Sequence, residues 1–328
     1  MRATKVFIFA IIATVCYSLL PLAADDRNLW DYGPSLEFSV LGPAALYGRA
    51  ASEARWGVDG SAGGFAHFSI PILQGQGILF DSNNIRLGAS AKTSSDMVYF
   101  SNWLEIEPIA FAHIKLEGGF GTGWTFGTGT SPMVGLAINP ASDFLPIQPI
   151  PFGGLVWNAS ISLPLILSLE YFLFEPMARL YLQAEPRIEY RALSAAKNGE
   201  AWVWNNDSGM NRNGWKFSPR FTFAIRPPLV WGLQYLGFEG GFETWLFDAR
   251  SSSPSATGGW GSDLLIWDVS VKTQIAIDPW NIFIVEASVG ETIEWTVATA
   301  DRRFFGNRVF SKKGVGFKGL SLIYRYEY

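Results

Sequence analysis

The chain is poor in the side chains that build most catalytic and metal centres. Its only cysteine is Cys16, and its only histidines are His67 and His113. A single cysteine provides no disulfide framework and no thiolate metal site. No G-x-S-x-G or H-E-x-x-H spacing occurs, so the common signals of hydrolases and zinc proteases are missing. We therefore predict that the protein is not an enzyme and carries neither a metal ion nor any other cofactor.

Charged residues are also scarce, at 16% of the chain, and the formal net charge is only −4. No basic block or basic-aromatic patch is present, so nucleic-acid binding has no electrostatic footprint. Beyond the N-terminal segment, no run of about 18 apolar residues occurs, so no transmembrane helix is predicted there.

The N-terminal segment has the pattern of an export signal. Arg2 and Lys5 precede an apolar stretch over residues 6–22, and Ala23 and Ala24 lead into an acidic pair. This order predicts a signal peptide over residues 1–24 that is cleaved, followed by a short lead-in over residues 25–34. The position of the cut stays open, and a retained membrane anchor is the alternative. An exported chain without further helical spans is either soluble or a β-barrel.

Strict alternation is the positive feature of the chain, and residues 177–192 show it best. Over this stretch, alternate positions are charged, polar or Tyr, and the positions between them are mostly apolar. A period of two places the two sets on opposite faces of one β-strand. The stretch is about twice the usual strand length but matches the 9–11 tilted residues that cross a bilayer.

The same alternation recurs along the rest of the chain. We predict about twelve long strands, within a range of 10–14, in one barrel domain over residues 35–328. Dipeptides with proline interrupt it at Glu107-Pro108, Glu175-Pro176, Pro227-Pro228 and Asp278-Pro279, and longer loops separate these turns. The pattern predicts an all-β fold: a closed, antiparallel, up-and-down transmembrane β-barrel with short periplasmic turns and longer extracellular loops.

One long segment, residues 126–154, departs from the alternation. It is rich in proline and glycine yet unusually apolar. A loop of this length inside a domain usually has a function of its own. Three roles stay open: it narrows the mouth of the barrel, offers an apolar site to an amphipathic solute, or forms an external lid or interaction surface.

The last strand resembles the C-terminal assembly signal of bacterial outer-membrane β-barrel proteins. That signal ends in an aromatic residue and has apolar residues at alternate positions upstream, which here are Leu320, Leu322, Tyr324, Tyr326 and Tyr328. The resemblance is at the level of the class and covers the chain after the signal peptide. It implies the outer membrane as location, membrane lipid as surroundings and the barrel-assembly machinery as a partner. A soluble barrel or sandwich is the alternative, and it would bury the apolar face.

In a transmembrane barrel, the polar face lines the lumen. The predicted lumen-lining residues carry both charge signs in similar number: Glu105, His113, Lys115, Glu117, Arg179, Glu185, Arg187, Glu189, Arg191, Arg220, Glu239, Glu243, Asp268, Lys272 and Glu286. Such a set forms a water-filled path for small polar or amphipathic solutes, or it pairs internally and closes the lumen. A pore is therefore the predicted function, and a closed structural or adhesive barrel that presents its loops is the alternative.

Overall fold

The computed structural model describes the chain in eleven ranges and is built from β-strands. These ranges are residues 30–41, 57–72, 83–126, 133–139, 148–168, 180–197, 200–205, 211–227, 232–246, 265–297 and 308–326. Within them, no helix is long and apolar enough to cross a membrane. The predicted signal peptide lies outside the described residues.

Most strands belong to one antiparallel sheet. They are β1 (Trp30–Leu41), β2 (Gly57–Pro71), β3 (Asn84–Ser94), β4 (Met97–Ile109), β5 (Ala112–Gly123), β10 (Val156–Ser162), β11 (Leu165–Ser168), β12 (Leu180–Glu185), β13 (Arg187–Leu193), β15 (Gly214–Phe217), β16 (Arg220–Ile225), β17 (Leu233–Trp245), β18 (Leu265–Ala276), β19 (Asn281–Val297) and β20 (Arg308–Tyr326). Five short strands lie outside this sheet: β6 (Thr125–Phe126), β7 (Met133–Val134), β8 (Leu136–Asn139), β9 (Gln148–Pro149) and β14 (Ala201–Trp204).

The large sheet closes on itself. β10 with β11, β12 with β13, and β15 with β16 each form one interrupted barrel strand, so twelve barrel strands follow one another in chain order. The first and last strands pair directly, from Ser35 opposite Arg325 to Leu41 opposite Gly319. Closure leaves no free edge along the paired strands, as a membrane-spanning sheet requires. The predicted fold, a closed antiparallel barrel of about twelve strands, is confirmed.

The apolar face of the barrel is exposed. Phe38, Phe221 and Phe238 expose 53%, 53% and 54% of their surface, and many other large apolar side chains of the barrel strands are exposed as well. A soluble barrel would bury this face against a core. The soluble alternative is therefore wrong, because the side chains that would form its core point outward.

Three neighbouring barrel strands break at a proline. Pro164 lies between β10 and β11, Pro186 between β12 and β13, and Pro219 between β15 and β16. The breaks align, because Leu163 donates its backbone N–H to the Pro186 carbonyl and Ser218 donates to the Arg187 carbonyl. Proline cannot donate a ladder hydrogen bond, so a shared row of prolines interrupts all three ladders at one level. The sequence pattern did not predict this alignment.

The strand ends depart from the predicted layout in three places. β1 begins at Trp30, inside the predicted lead-in, because residues 30–34 already pair with β2. Pro108 lies within β4, in the bulge between Ile106 and Ile109, so the turn follows at residues 110–111 rather than at the proline itself. The β3–β4 turn spans only residues 95–96, although it lies at the end of the barrel that carries the long loops.

The short strands form a separate assembly at that same end. β14, β8 and β9 make a three-stranded sheet, and β6 pairs with β7. The assembly therefore joins two segments distant in sequence, one before β10 and one after β13. We call residues 124–126, 133–139, 148–154, 200–205 and 211–213 the cap.

Candidate functional site

The described members of the predicted lumen set share the face opposite the exposed apolar side chains. We call this the polar face. Its described members are Glu105, His113, Lys115, Glu117, Glu185, Arg187, Glu189, Arg191, Arg220, Glu239, Glu243, Asp268, Lys272 and Glu286. Arg179 lies outside the described residues. Most of the set is brought together in ion pairs and hydrogen bonds, while Glu286 lies opposite Lys272 in the strand register.

Several ion pairs reach across an intervening strand. Arg187 Nη1 on β13 lies 3.5 Å from Glu117 Oε2 on β5, with β10 between them. Arg220 on β16 donates to Asp268 on β18 over a distance of 2.5 Å, with β17 between them. Gly241 pairs with both residues, and a Cβ there would lie 2.7 Å from Cδ of Arg220. Its missing side chain therefore leaves the path of the ion pair open.

A buried polar network lies on the polar face near the cap. Tyr99 donates its hydroxyl to Asn158 Oδ1, and Asn158 Nδ2 donates to Glu189 Oε1 over 3.1 Å. Arg191 Nε donates to the same carboxylate oxygen over 2.8 Å. Glu189 exposes only 3% of its surface. We call Tyr99, Asn158, Glu189 and Arg191 the cap-end cluster; in it the buried carboxylate has both a cation and an amide donor.

The cap packs on the polar face through an apolar cluster. Leu136 and Trp202 of the cap are fully buried against Val156, the first residue of β10, and Leu193, the last residue of β13. Val156 and Leu193 lie two residues along from Asn158 and Arg191, so they share the polar face. At this end of the barrel, the same side of the strands therefore carries apolar residues, and the cap packs on them.

Hydrogen bonds also join the cap to the barrel wall. Trp124 donates its backbone N–H to the Asp96 carbonyl over 2.7 Å and its indole N–H to the Ser95 carbonyl over 2.8 Å. Phe152 donates its backbone N–H to the Gly123 carbonyl over 2.8 Å. The short β3–β4 turn therefore serves as an attachment point, because its carbonyl groups accept from the cap.

Trp204 is the cap residue that reaches the cap-end cluster. Its ring packs edge-on against Tyr99, with 6.3 Å between the ring centroids. A Cβ on Gly121 would lie 2.9 Å from the Trp204 ring. This glycine is therefore required for the indole to lie against the wall.

A second polar cluster lies toward the opposite end of the barrel. His113 Nδ1 on β5 lies 3.1 Å from Glu105 Oε1 and 3.5 Å from Glu107 Oε1, both on β4. Arg86 Nη1 on β3 lies 2.8 Å from Glu107 Oε1. Asn84 donates to Glu107 Oε2 over 2.6 Å. We call Arg86, Glu105, Glu107 and His113 the turn-end cluster.

Sequence reasoning identified the polar face but missed two features of the site. It did not join residues 200–205 and 211–213 to the apolar segment 126–154, although Trp202 and Trp204 in a polar loop signalled a buried surface. It assigned Glu107 to a turn, and the bulge at Pro108 instead keeps this carboxylate beside His113.

The outer surface carries aromatic side chains near the strand ends. The rings of Trp157, Tyr190 and Trp215 contact one another in series on three neighbouring strands, the first pair tilted and the second edge-to-face, with centroids 5.2 Å apart in each contact. Interfacial aromatic belts of this kind surround membrane barrels. In the last strand, Leu320 and Leu322 are exposed and Tyr324 packs on Phe283. Tyr328 lies outside the described residues.

The closed sheet, the exposed apolar face and the aromatic belt together define the architecture of bacterial outer-membrane β-barrel proteins, and the class-level resemblance predicted from the sequence is confirmed. No protein-family model matches the chain, and no curated protein matches its sequence.

Comparison with solved structures finds outer-membrane proteins. The chain is similar to the β-domain of the Bordetella autotransporter BrkA, with 10% identity, coverage of 90% of this chain and 98% of that one, and a TM-score of 0.40. It is also similar to the translocator domain of NalP from Neisseria meningitidis, with 8% identity, coverage of 99% of this chain and 96% of that one, and a TM-score of 0.39. A third similar structure is an outer-membrane channel from Pseudomonas putida F1, with 9% identity, coverage of 94% of this chain and 99% of that one, and a TM-score of 0.40. Similarity at this level carries no argument about function.

Proposed function

We propose that the protein is an outer-membrane pore for small polar or amphipathic solutes, not an enzyme. The polar face lines its lumen, and the cap narrows one end. The observation that carries the proposal is the contact between Trp204 and Tyr99, because it joins the cap to the charged face of a closed barrel. The Arg187–Glu117 and Arg220–Asp268 ion pairs each cross an intervening strand. They support a lumen position for the polar face, because side chains two strands apart approach each other on the concave side of a barrel.

The mixed charge of the polar face favours weak ion selectivity. Lys115, Glu117, Arg187 and their neighbours pair with residues of opposite sign rather than forming a ring of one sign. Selective channels instead use rings of like charge or aligned dipoles. We therefore propose passage governed by size and polarity, with the cap as the narrowest point. Its apolar surface suits the apolar part of an amphipathic solute.

Bilayer conductance of the refolded chain without residues 1–24 tests the proposal. Trp204→Ala removes the ring that lies over Tyr99 and should raise single-channel conductance. Trp215→Ala is the matched control, because this tryptophan is exposed on the outer surface. Equal conductance of the wild type and the Trp204 variant would contradict a constricting cap. The heat-modifiable gel mobility of folded barrels verifies that each variant has folded.

A closed barrel is the second candidate, and the paired charges favour it. Acidic and basic side chains that pair with one another need little water to solvate their charges, and the cap covers one end of the lumen. In this case the protein acts as a structural or adhesive surface barrel that presents its loops. A refolded chain that is heat-modifiable yet electrically silent, in wild type and Trp204 variant alike, would establish this alternative.

The proposed location and partners follow from the same architecture. We propose that residues 1–24 direct export and that membrane lipid surrounds the exposed apolar face. We also propose that the barrel-assembly machinery recognises the last strand through Leu320, Leu322, Tyr324, Tyr326 and Tyr328. Replacing Tyr328 with Ser should lower the amount of folded barrel in the outer membrane, whereas Tyr181→Ser on the polar face should leave recognition intact. Cell fractionation followed by heat-modifiability measures both variants.

A further inference from the structure

The turn-end cluster has the donor set of a divalent metal site, although its sequence gave no spacing signal for one. Glu105 and Glu107 are two residues apart on β4 and therefore point to the same face. His113 extends from β5 beside them. One imidazole nitrogen and one oxygen from each carboxylate lie within 4.8 Å of one another.

The spacing of these three atoms fits an ion between them. His113 Nδ1 is 3.1 Å and 3.5 Å from the two carboxylate oxygens. Ligand distances of about 2.0–2.2 Å around tetrahedral Zn²⁺ place neighbouring ligand atoms about 3.3–3.6 Å apart, so one observed spacing matches and the other needs a shift of about 0.2 Å. Zn²⁺ accepts both imidazole and carboxylate ligands, and it commonly keeps one position for water. The three side chains thus provide the protein ligands of a four-coordinate site.

An incompletely satisfied carboxylate oxygen is an independent sign of a missing ligand. Glu107 exposes only 3% of its surface, and its Oε1 has no hydrogen-bond donor in the described structure. Arg86 Nη1 is 2.8 Å from this oxygen but makes no hydrogen bond of acceptable geometry with it. A buried carboxylate oxygen without a donor is costly. This oxygen points toward His113.

The backbone aims Glu107 at this position. The bulge between Ile106 and Ile109 sets Glu107 and Pro108 opposite the single residue His113. Bulges re-aim a side chain at the expense of one ladder pairing. Asn84 donates to the other carboxylate oxygen, Oε2, so Oε1 is the oxygen that faces His113 and Arg86.

Charge also permits a dication. The two carboxylates carry one more negative charge than the Arg86 guanidinium neutralises. Arg86 competes with an ion for the same oxygen, and its side chain is 38% exposed, which gives it room to move away. We propose that Glu105, Glu107 and His113 bind a Zn²⁺-type transition-metal ion that joins β4 to β5, with Arg86 as the competing cation.

Calorimetric titration of Zn²⁺ into the refolded chain without residues 1–24 tests this site. We expect one ion per chain and a loss of affinity of about 100-fold in His113→Asn and in Glu107→Gln. His67→Asn is the matched control, because His67 is the only other histidine. Arg86→Gln should strengthen binding by about tenfold, since it removes the competing charge. Unchanged affinity in His113→Asn, or lost affinity in His67→Asn, would overturn the proposal.

A second measurement does not depend on the folding of ligand variants. In His67→Asn, His113 is the only histidine, so its reaction with diethyl pyrocarbonate can be followed alone. Saturating Zn²⁺ should slow this reaction markedly if the imidazole is a ligand. An unchanged rate in the presence of Zn²⁺ would overturn the site even if Zn²⁺ binds elsewhere on the protein.

Discussion

The two ends of the polar face hold similar residues in different states. The cap-end cluster places Glu189 between Arg191 and Asn158, and both donate to the same carboxylate oxygen. The turn-end cluster places Glu107 beside Arg86 and His113, yet one of its oxygens accepts no hydrogen bond. Both carboxylates are 3% exposed, so burial does not separate them. The hydrogen bonds of the Glu189 oxygen are thus complete within the chain, whereas Glu107 Oε1 has an ion pair with Arg86 but no hydrogen-bond donor.

Matched substitutions of the two buried carboxylates should separate the clusters most strongly. Glu189→Gln removes the charge that Arg191 and its neighbours require, so we expect a loss of about 2–3 kcal/mol in the free energy of unfolding. Glu107→Gln, measured without metal, should cost less, about 1 kcal/mol, because it removes an ion pair with the partly exposed Arg86 but no hydrogen bond to Oε1, and the Gln oxygen can still accept from Asn84. Denaturant titration in detergent measures the free energy of unfolding of both variants, with the heat-modifiable gel mobility of the folded barrel as the readout.

Equal losses of unfolding free energy in Glu189→Gln and Glu107→Gln would contradict the difference between the two clusters. They would mean that Arg86 satisfies Glu107 as fully as Arg191 satisfies Glu189. Glu239→Gln provides the reference for an incidental pair, since Glu239 Oε2 lies 3.9 Å from Lys272 Nζ and both side chains are partly exposed. Its expected loss is below about 1 kcal/mol.

A tyrosine pair tests how far the cap-end cluster extends. Tyr99→Phe removes a hydroxyl that joins β4 to β10 across β5, and should cost about 1 kcal/mol. Tyr181→Phe is the control, because its hydroxyl donates only to Gln183 on the same strand and should contribute less. The same unfolding titration measures both, and a larger loss in the Tyr181 variant would contradict a cross-strand role for Tyr99.

The smallest expected effect lies outside both clusters, in the β18–β19 turn. Ionised Asp278 accepts hydrogen bonds from the backbone N–H of Trp280 and from Asn281, and these bonds lower the pKa of its carboxyl group. A lowered folded-state pKa means that the stabilisation is present above the unfolded pKa of about 3.9 and is lost as pH falls through the folded value.

Asp278→Asn should therefore lower stability slightly at neutral pH and leave it unchanged in strong acid. Unfolding of wild type and variant, compared at both pH values, measures the difference. A difference that persists in strong acid would show that the charge of Asp278 is not the cause.

Much of the barrel could be predicted because the alternation of polar and apolar residues is visible within each strand. The alternation over residues 177–192 assigned Arg187, Glu189 and Arg191 to one face, and the structure places them together. The aligned breaks at Pro164, Pro186 and Pro219 could not be predicted in this way, because alignment across strands depends on register, and register is a property of strand pairing.

The candidate sites were less predictable for the same reason. Nothing between residues 139 and 201 signals that β8 pairs with β14, so the cap could not be assembled from the sequence. The spacing Glu105-x-Glu107 and a histidine six residues later is not a recognised metal motif. Only the hairpin and its bulge bring His113 beside both carboxylates.

The fold class, the two faces of each strand and the approximate number of strands can be read from the sequence alone. A period of two acts residue by residue and needs no partner. The tertiary structure alone decided which charges meet, where the cap packs and which carboxylate oxygen has no donor. These contacts join strands far apart in the chain, and only closure of the barrel fixes the distances between them.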